Sequence, residues 1–295
     1  MEQTQSKTIS VIIPTRNAAS ELAVLLSMLH RQTRLPDEIL VVDSESNDNT
    51  LEIARKFPLV RVLEIKLAEF DHGGTRDFAL RASSGDLVLF FTQDAIPCDE
   101  RYIEAIVQAV TQEGVACACA RQIARADAPL YEKFTREYNY PETSFVRDQS
   151  DIPKLGIKAY FLSDACSAYR RDAYLAVGGF DHPILTNEDM LIAARFLLAG
   201  YKIAYCAESA VFHSHHYSLR QEYERNYKIG FVLEKYQDRF SGARAESEGF
   251  RYVRQILKRL MQKRAFQESF RFSFLCAAKV FGSRKGRSAA RHAKQ

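Results

Sequence analysis

Ile9-Ser10-Val11-Ile12-Ile13-Pro14-Thr15-Arg16-Asn17 is a β-branched apolar run closed by a proline and polar residues. A second run, Glu38-Ile39-Leu40-Val41-Val42-Asp43, stops the same way, at Ser44-Glu45-Ser46-Asn47-Asp48. Such runs read as buried strands with polar termini. Between them Leu22, Leu25, Leu26 and Leu29 recur at helical spacing, with Ser20 as the expected cap. Asp48 or Asn49 opens a short helix toward Lys56, and Val60 to Ile65 gives a third strand. Thr75 to Ala82 reads as a helix broken at Ser83-Ser84-Gly85-Asp86. Leu87 to Phe91 is apolar throughout, as a strand covered on both faces requires. Strand and helix alternate, which predicts an α/β fold with a mostly parallel sheet of the doubly wound type.

The later chain is less regular. Ala126 to Tyr160 is polar and aromatic with three prolines, and reads as loops and short helices forming a lid or an acceptor-binding insertion. Ala165 to Tyr169 resumes strand character, Arg171 to Val177 is helical, and Gly178-Gly179 stops it. Asn187 to Ala199 is an amphipathic helix ending at Gly200. Lys202 to Cys206 and Ala210 to His213 are two short strands, and a long helix begins at Ser218.

With 295 residues, 46% of them hydrophobic and 26% charged, the chain can bury a core without disulfides or metal staples. Its six cysteines include no CxxC pair, and Cys117 and Cys119 fall on one side of an apolar strand. Reduced, buried thiols are expected. No stretch approaches the roughly 18 apolar residues of a spanning helix. The polar start, Met1 to Thr8, lacks a signal-peptide layout, so a cytoplasmic protein is expected. Charge is unevenly placed. Of the 41 Lys and Arg, 13 lie between Arg251 and Gln295, against one of the 37 acids, Glu268. That segment carries +12 and the rest of the chain −8. A basic end interleaved with Tyr252, Leu257, Leu260, Phe270 and Phe274 suits a helix lying on anionic lipid. Packing of those aromatics on the rest of the protein is the plainer alternative. No RNA-binding motif accompanies the charge, so no nucleic-acid partner is expected.

Ligands of open α/β sheets bind beyond the carboxyl ends of the strands. Four polar clusters fall there: Pro14-Thr15-Arg16-Asn17, Asp43-Ser44-Glu45-Ser46, Thr92-Gln93-Asp94 and His213-Ser214-His215-His216. None contains GxGxxG or GxxxxGK[ST], which counts against dinucleotide-binding Rossmann enzymes and P-loop NTPases. Asp43 ends a strand, where its carboxylate can accept the imide N–H of a uracil or thymine ring, or simply form a turn. Arg16 lines the same pocket or points to solvent. Gly73 and Gly74 permit close backbone approach to a phosphate, at a helix start expected at Thr75, or form an ordinary turn. Arg76 can add a charged contact to a diphosphate.

These segments, in this order, resemble family 2 glycosyltransferases. The resemblance continues through Gly73-Gly74-Thr75-Arg76, Leu87 to Asp94, Tyr169-Arg170-Arg171, Val177-Gly178-Gly179-Phe180-Asp181 and Asn187-Glu188-Asp189, over residues 8 to 235. Phe70-Asp71-His72-Gly73-Gly74-Thr75-Arg76 with Thr92-Gln93-Asp94-Ala95 is most similar to the bacterial rhamnosyltransferase branch. The resemblance implies the GT-A fold and an inverting transfer from a nucleotide-diphosphate sugar. It implies a donor pocket of Pro14, Thr15, Arg16, Asn17, Asp43, Ser44, Gly73, Gly74, Arg76, Gln93 and Asp94. It further implies Mg²⁺ or Mn²⁺ at Asp94, although the first acid of the family's Asp-x-Asp pair is replaced at Thr92-Gln93-Asp94. A histidine, His213 or alternatively His215, completes the metal site or touches the diphosphate. Zinc is a sharper alternative, and structural histidines the plainer one. The catalytic base falls on Asp189, with Glu188 orienting it or binding acceptor. Acids at a helix start also suit the helix dipole.

Residues 1–240 are therefore expected to form the GT-A domain and 241–295 a basic amphipathic helical extension. The expected donor is dTDP-L-rhamnose and the expected acceptor a glycan or lipid-linked glycan, met at the inner face of the cell membrane. A UDP-sugar donor, or a nucleotide-sugar-binding scaffold that has lost activity, are the alternatives.

Overall fold

Nine strands join in one sheet in the computed structural model, which describes residues 7–240 and 246–293. The first half alternates β1 (Ile9–Thr15), α1 (Ala19–Leu29), β2 (Glu38–Ser44), α2 (Thr50–Lys56), β3 (Val60–Ile65), α3 (His72–Ala82) and β4 (Leu87–Phe91). The middle holds β5 (Ile96–Pro97), α4 (Tyr102–Val110), β6 (Val115–Ile123), α5 (Leu130–Asn139), β7 (Phe145–Arg147) and α6 (Ile152–Leu155). Then follow β8 (Cys166–Arg170), α7 (Arg171–Ala176), α8 (Glu188–Leu198), β9 (Lys202–Phe212), α9 (Leu219–Lys235), α10 (Glu246–Gln262) and α11 (Phe266–His292).

The sheet order is β3-β2-β1-β4-β8-β6-β9-β5, with β7 on β9. β1 to β4 are mutually parallel, as is the β6–β9 pair. β8 runs antiparallel between β4 and β6. Side chains of β1 alternate between two cores. Ile9, Val11 and Ile13 meet α1 and α4, while Ile12 meets residues of α3 and α8 on the other face. Leu22, Leu25, Leu26 and Leu29 are fully buried, each contributing about 1.5–3 kcal/mol by leaving water. Cys117 and Cys119 share one core, and all six cysteines are free.

Several local expectations are corrected. Ser20 does not cap α1, because its hydroxyl bonds Glu21. The helix-start amides of Ala18 and Ala19 are taken instead by Thr50 Oγ1 and Asp48 Oδ2, from across the sheet edge. α3 begins at His72 rather than Thr75, capped by Asp71, which accepts from the Gly74 N–H at 2.7 Å. The two strands expected after Gly200 are one, β9. Its pairing with β6 steps from Ala120↔Cys206 to Arg121↔Ala210, so residues 207–209 bulge without breaking the ladder.

The boundary expected at 240/241 adjoins residues 241–245, outside the described residues. Beyond it, α11 lies against α9 with touching backbones. A Cβ on Gly230, Gly282 or Gly286 would come within 2.0–2.3 Å of a carbonyl oxygen of the facing helix. Ile256 and Leu260 of α10 join Phe272 and Leu275 of α11 around Tyr131 and Phe134 of α5. Leu260 is fully buried and Leu257 packs at that cluster's edge, which corrects their expected insertion into lipid. Phe270 and Phe274 remain exposed. Among the described residues no helix is long and apolar enough to cross a membrane.

Candidate active site and metal-binding triad

The carboxyl ends of β1, β2 and β4 meet in a crevice where the strand order reverses, the switch point that favours ligands in open sheets. Asp43 is buried there. Its Oδ1 accepts from Thr15 Oγ1 at 3.2 Å and Ser46 Oγ at 2.5 Å, and its Oδ2 from the Ser46 N–H at 2.8 Å. Asp43 thus forms its own turn, and Ser44 beside it keeps a buried hydroxyl with no partner. Pro14 pairs in register with Val42. Asn17, at φ 48°, receives the Asn47 N–H on Oδ1 while its own N–H reaches Ser46 Oγ. Arg16 has an exposed side chain, and its backbone exchanges two hydrogen bonds with the Gln93 amide at 2.9 and 3.3 Å. Gln93 therefore bridges the ends of β1 and β4.

One residue on, Asp94 meets His213 and His215 at the end of β9. Asp94 Oδ1 lies 3.6 Å from His213 Nε2, and Oδ2 lies 3.6 Å from His215 Nδ1. All three ligand atoms fall within 4.8 Å of one another. Gln122 Oε1 can only accept, so its 2.8 Å contact fixes the proton on His213 Nδ1. Nε2 is left as a buried acceptor with no partner. Burial pushes His213 well below its ordinary pKa, and His215 with Arg136, Arg125 and Arg225 adds to the effect. Burial also lowers His215, against the opposing pull of Asp94. Neutral imidazoles are the form that binds metal. Gln122 is itself held by Arg136 and by Ser163, a supporting layer of the kind that orients metal ligands. The orphaned nitrogen facing a carboxylate fits a divalent cation. Thr92, two residues before Asp94, offers only a buried, unpartnered hydroxyl.

A second cluster forms where the start of α8 meets α3. Arg76 and Glu188, both buried, pair at 3.2 Å. Arg76 also donates to the His72 carbonyl at 3.0 Å, and its Nε is buried without a partner. The guanidinium is therefore drawn inward to the acids. Space beside Gly73 is already filled, since a Cβ there would lie 2.2 Å from the Asp181 carbonyl oxygen. At that glycine the close backbone approach is to the 181–184 loop. Asp189 Oδ1 accepts its neighbour Met190's N–H at 2.7 Å. Burial, then Glu188 and Asp164, pushes the Asp189 carboxyl well above the usual range.

Asp164 was not foreseen. It is buried, accepts from Ser167 Oγ at 2.7 Å and Tyr169 OH at 2.6 Å, and leaves Oδ2 unpartnered. Burial pushes it up to about 6, with Arg76 opposing and Glu188 reinforcing. The missed signal was strand direction. Because β8 is antiparallel, its start pairs with the end of β4, Cys166 opposite Phe91, and an acid before β8 lands on the ligand edge.

The family model for glycosyl transferase family 2 matches residues 10–178. The O-antigen chain rhamnosyltransferase RfbN of Salmonella typhimurium is 37% identical over 262 residues, 88% of this chain and 83% of that protein. WbaN of Salmonella anatum, also an O-antigen chain rhamnosyltransferase, is 38% identical over 87% of this chain and 82% of its own length. In structure the chain is similar to a mannosyltransferase from Pyrobaculum calidifontis in complex with GDP-Man and Mn²⁺. The TM-score is 0.68 at 16% identity, covering 96% of this chain and 88% of that one.

Proposed function

The chain belongs to glycosyl transferase family 2, and on that premise we propose that it moves L-rhamnose from dTDP-L-rhamnose to a hydroxyl of a bacterial surface polysaccharide, inverting the anomeric carbon. The observation that carries the donor is the likeness to two O-antigen chain rhamnosyltransferases over nearly nine-tenths of the chain.

Asp189 is the base in this reading. It takes the proton of the acceptor hydroxyl as that oxygen bonds to the anomeric carbon. The bond from that carbon to the diphosphate oxygen breaks, and its electron pair leaves with dTDP. A base with a raised pKa is matched to this work, since it holds the proton it receives. Glu188 is tied to Arg76 and keeps that guanidinium among the acids, so it positions rather than abstracts. Asp164 is held by Tyr169 and Ser167 and sets the charge felt by Asp189. The donor base lies in the crevice of Thr15, Asp43 and Gln93. Asp94, His213 and His215 would hold Mn²⁺ or Mg²⁺, which supplies positive charge for the departing diphosphate.

The C-terminal helices carry the membrane part of the reading. Phe266, Phe270, Phe274 and Phe281 of α11 are exposed, among the basic residues of this segment. We place this face on anionic lipid at the cytoplasmic leaflet, where each nearby Lys or Arg adds about 1 kcal/mol. Co-sedimentation with anionic and neutral vesicles tests it through a Phe270→Ser/Phe274→Ser variant. A truncation would strip α11 from α9 and confuse docking with unfolding.

A donor screen decides the activity. Nucleotide release is measured from dTDP-rhamnose, UDP-sugars and GDP-mannose, with Mn²⁺, Mg²⁺ or chelator. Turnover of dTDP-rhamnose is expected. Preference for a UDP-sugar replaces the donor, and binding without turnover replaces the enzyme by a scaffold.

A further inference from the structure

A cleft of about 290 Å³ opens beside the metal-binding triad, between α5, α9 and the two C-terminal helices. His215 forms part of one wall, and Phe161, three residues before Asp164, forms part of another. The cleft thus touches both the triad and the segment that carries Asp164. Its walls combine aromatic faces with polar groups. Tyr217 lies 4.9 Å from His215, tilted 30°, and the Arg225 guanidinium stands over the Tyr217 ring at 5.8 Å. Tyr252 of α10 is fixed by a 2.8 Å hydrogen bond with Thr135 of α5.

The charges here are largely balanced. Arg136 pairs with Glu132 at 2.9 Å, and Lys279 of α11 with Glu222 of α9 at 3.5 Å. Glu222 is itself 7% exposed and also accepts from Asn226 at 3.1 Å. The lining carries two carboxylates, Glu132 and Glu222, and three basic side chains, Arg136, Arg225 and Lys279, so two of the three cations are already engaged. A neutral polyol meets donors and acceptors already set against apolar rings. That is the make-up of a sugar: a ring with an apolar C–H face and a rim of hydroxyls. The volume is near the lower end of small-molecule sites, about 300–1,000 Å³, which suits a terminal sugar unit.

We propose that this cleft binds the terminal saccharide of the acceptor, and that α10 and α11 complete the active site through Tyr252 and Lys279. The inference rests on the glycosyl-transfer reading and adds where the acceptor sits. The C-terminal segment then has two faces, an inner one for the glycan and an outer one that bears the exposed phenylalanines.

Ligand-observed NMR on the full chain, without nucleotide or cation, tests it against a panel of neutral mono- to trisaccharides of hexoses and 6-deoxyhexoses. Binding to at least one member is expected. Glu222→Gln, which keeps the shape and removes the charge, and Arg225→Ala, at an exposed position, should each weaken it about tenfold. Affinity for dTDP and UDP should stay unchanged in both. Failure of the whole panel to bind overturns the proposal, as does unchanged saccharide affinity in both variants. Loss of nucleotide affinity instead would make the cleft part of the donor site and also overturn it. Failure of the transferase reading looks different: saccharide binding persists, yet no nucleotide sugar is turned over.

Discussion

Two clusters of buried and half-buried ionisable groups stand at one sheet edge, and they handle their charge in different ways. Beside Asp94, the imidazoles of His213 and His215 stay neutral, and one of their nitrogens, His213 Nε2, has no hydrogen-bond partner. Arg76, Asp164, Glu188 and Asp189 compensate one another inside the protein, with a close ion pair and two carboxyls displaced upward. The first arrangement is incomplete without something from outside. The second balances its charges within the protein and holds a proton readily, although Arg76 Nε and Asp164 Oδ2 also lack partners. A buried polar atom without a partner costs about 1–3 kcal/mol, and His213 Nε2 differs from the other such atoms in facing a carboxylate and a second imidazole at cation-binding distance. A carboxyl raised by like charges is built for proton transfer.

The sharpest way to break this division is to remove the proton acceptor and leave the shape. Asp189→Asn should lower the transfer rate by ~10²–10⁴-fold, with nucleotide affinity in the presence of cation nearly unchanged. Stopped-time product assays and calorimetric titration with dTDP separate the two effects. Near wild-type turnover would move the base elsewhere, and a matching loss of nucleotide affinity would merge the two clusters into one site.

The converse test leaves the acids alone and loosens the histidine. Gln122→Ala removes the acceptor that fixes the His213 proton, so cation affinity should fall about 10–100-fold. Titration of Mn²⁺ followed by electron paramagnetic resonance reads this without any turnover. Saturating cation should restore the rate. Unchanged Mn²⁺ affinity would show that the triad does not hold the metal.

How these clusters were read from sequence divides along strand direction. The parallel half was legible: β1, β2, β3 and β4 lie where their apolar runs predicted, and Thr15, Asp43, Gln93 and Asp94 come together at their ends. A histidine beside Asp94, His213 or alternatively His215, was expected from the family resemblance; both lie there, just past the end of β9 at Phe212. Asp164 was lost because nothing in Cys166 to Arg170 distinguishes a parallel from an antiparallel strand. Gly73 was read as allowing close backbone approach, but which group approaches its Cα, here Asp181 more than a hundred residues on, is a tertiary fact. Leu260 was assigned to lipid for a related reason. An amphipathic helix shows that one face is covered and does not say by what.

Asp164 gives a subtler test, on the acid cluster alone. Its charge raises Asp189, so Asp164→Asn should let Asp189 ionise more easily. The acidic limb of the kcat/KM profile should move to lower pH, by on the order of one unit. Stability has its own sign. Asp164 is raised in the folded state to about 6 from an ordinary 3.8, so the folded protein binds more protons in that window. Its contribution is therefore largest below about pH 4 and is lost as pH rises through 6. Asp164→Asn should flatten that slope in denaturant melts between those limits. A profile and a slope that both match wild type would separate Asp164 from the base.

The smallest expected effect concerns which cation the triad takes. Mg²⁺ prefers oxygen ligands in a near-ideal octahedron and gives up water reluctantly. The triad offers one carboxylate and two imidazoles, and Thr92 contributes no charge. Imidazole nitrogens favour transition metals over Mg²⁺. Mn²⁺ should therefore bind more tightly than Mg²⁺ in the absence of nucleotide. Once a diphosphate brings its own oxygens, the donor set becomes harder and the preference should shrink to a few-fold in kcat/KM. His215→Asp tests the cause, since trading a nitrogen for a second carboxylate should narrow the gap further and favour Mg²⁺. If that variant leaves the Mn²⁺ to Mg²⁺ ratio unchanged while His213→Ala abolishes cation binding, then His213 and Asp94 hold the ion, and His215 belongs to the wall of the neighbouring cleft.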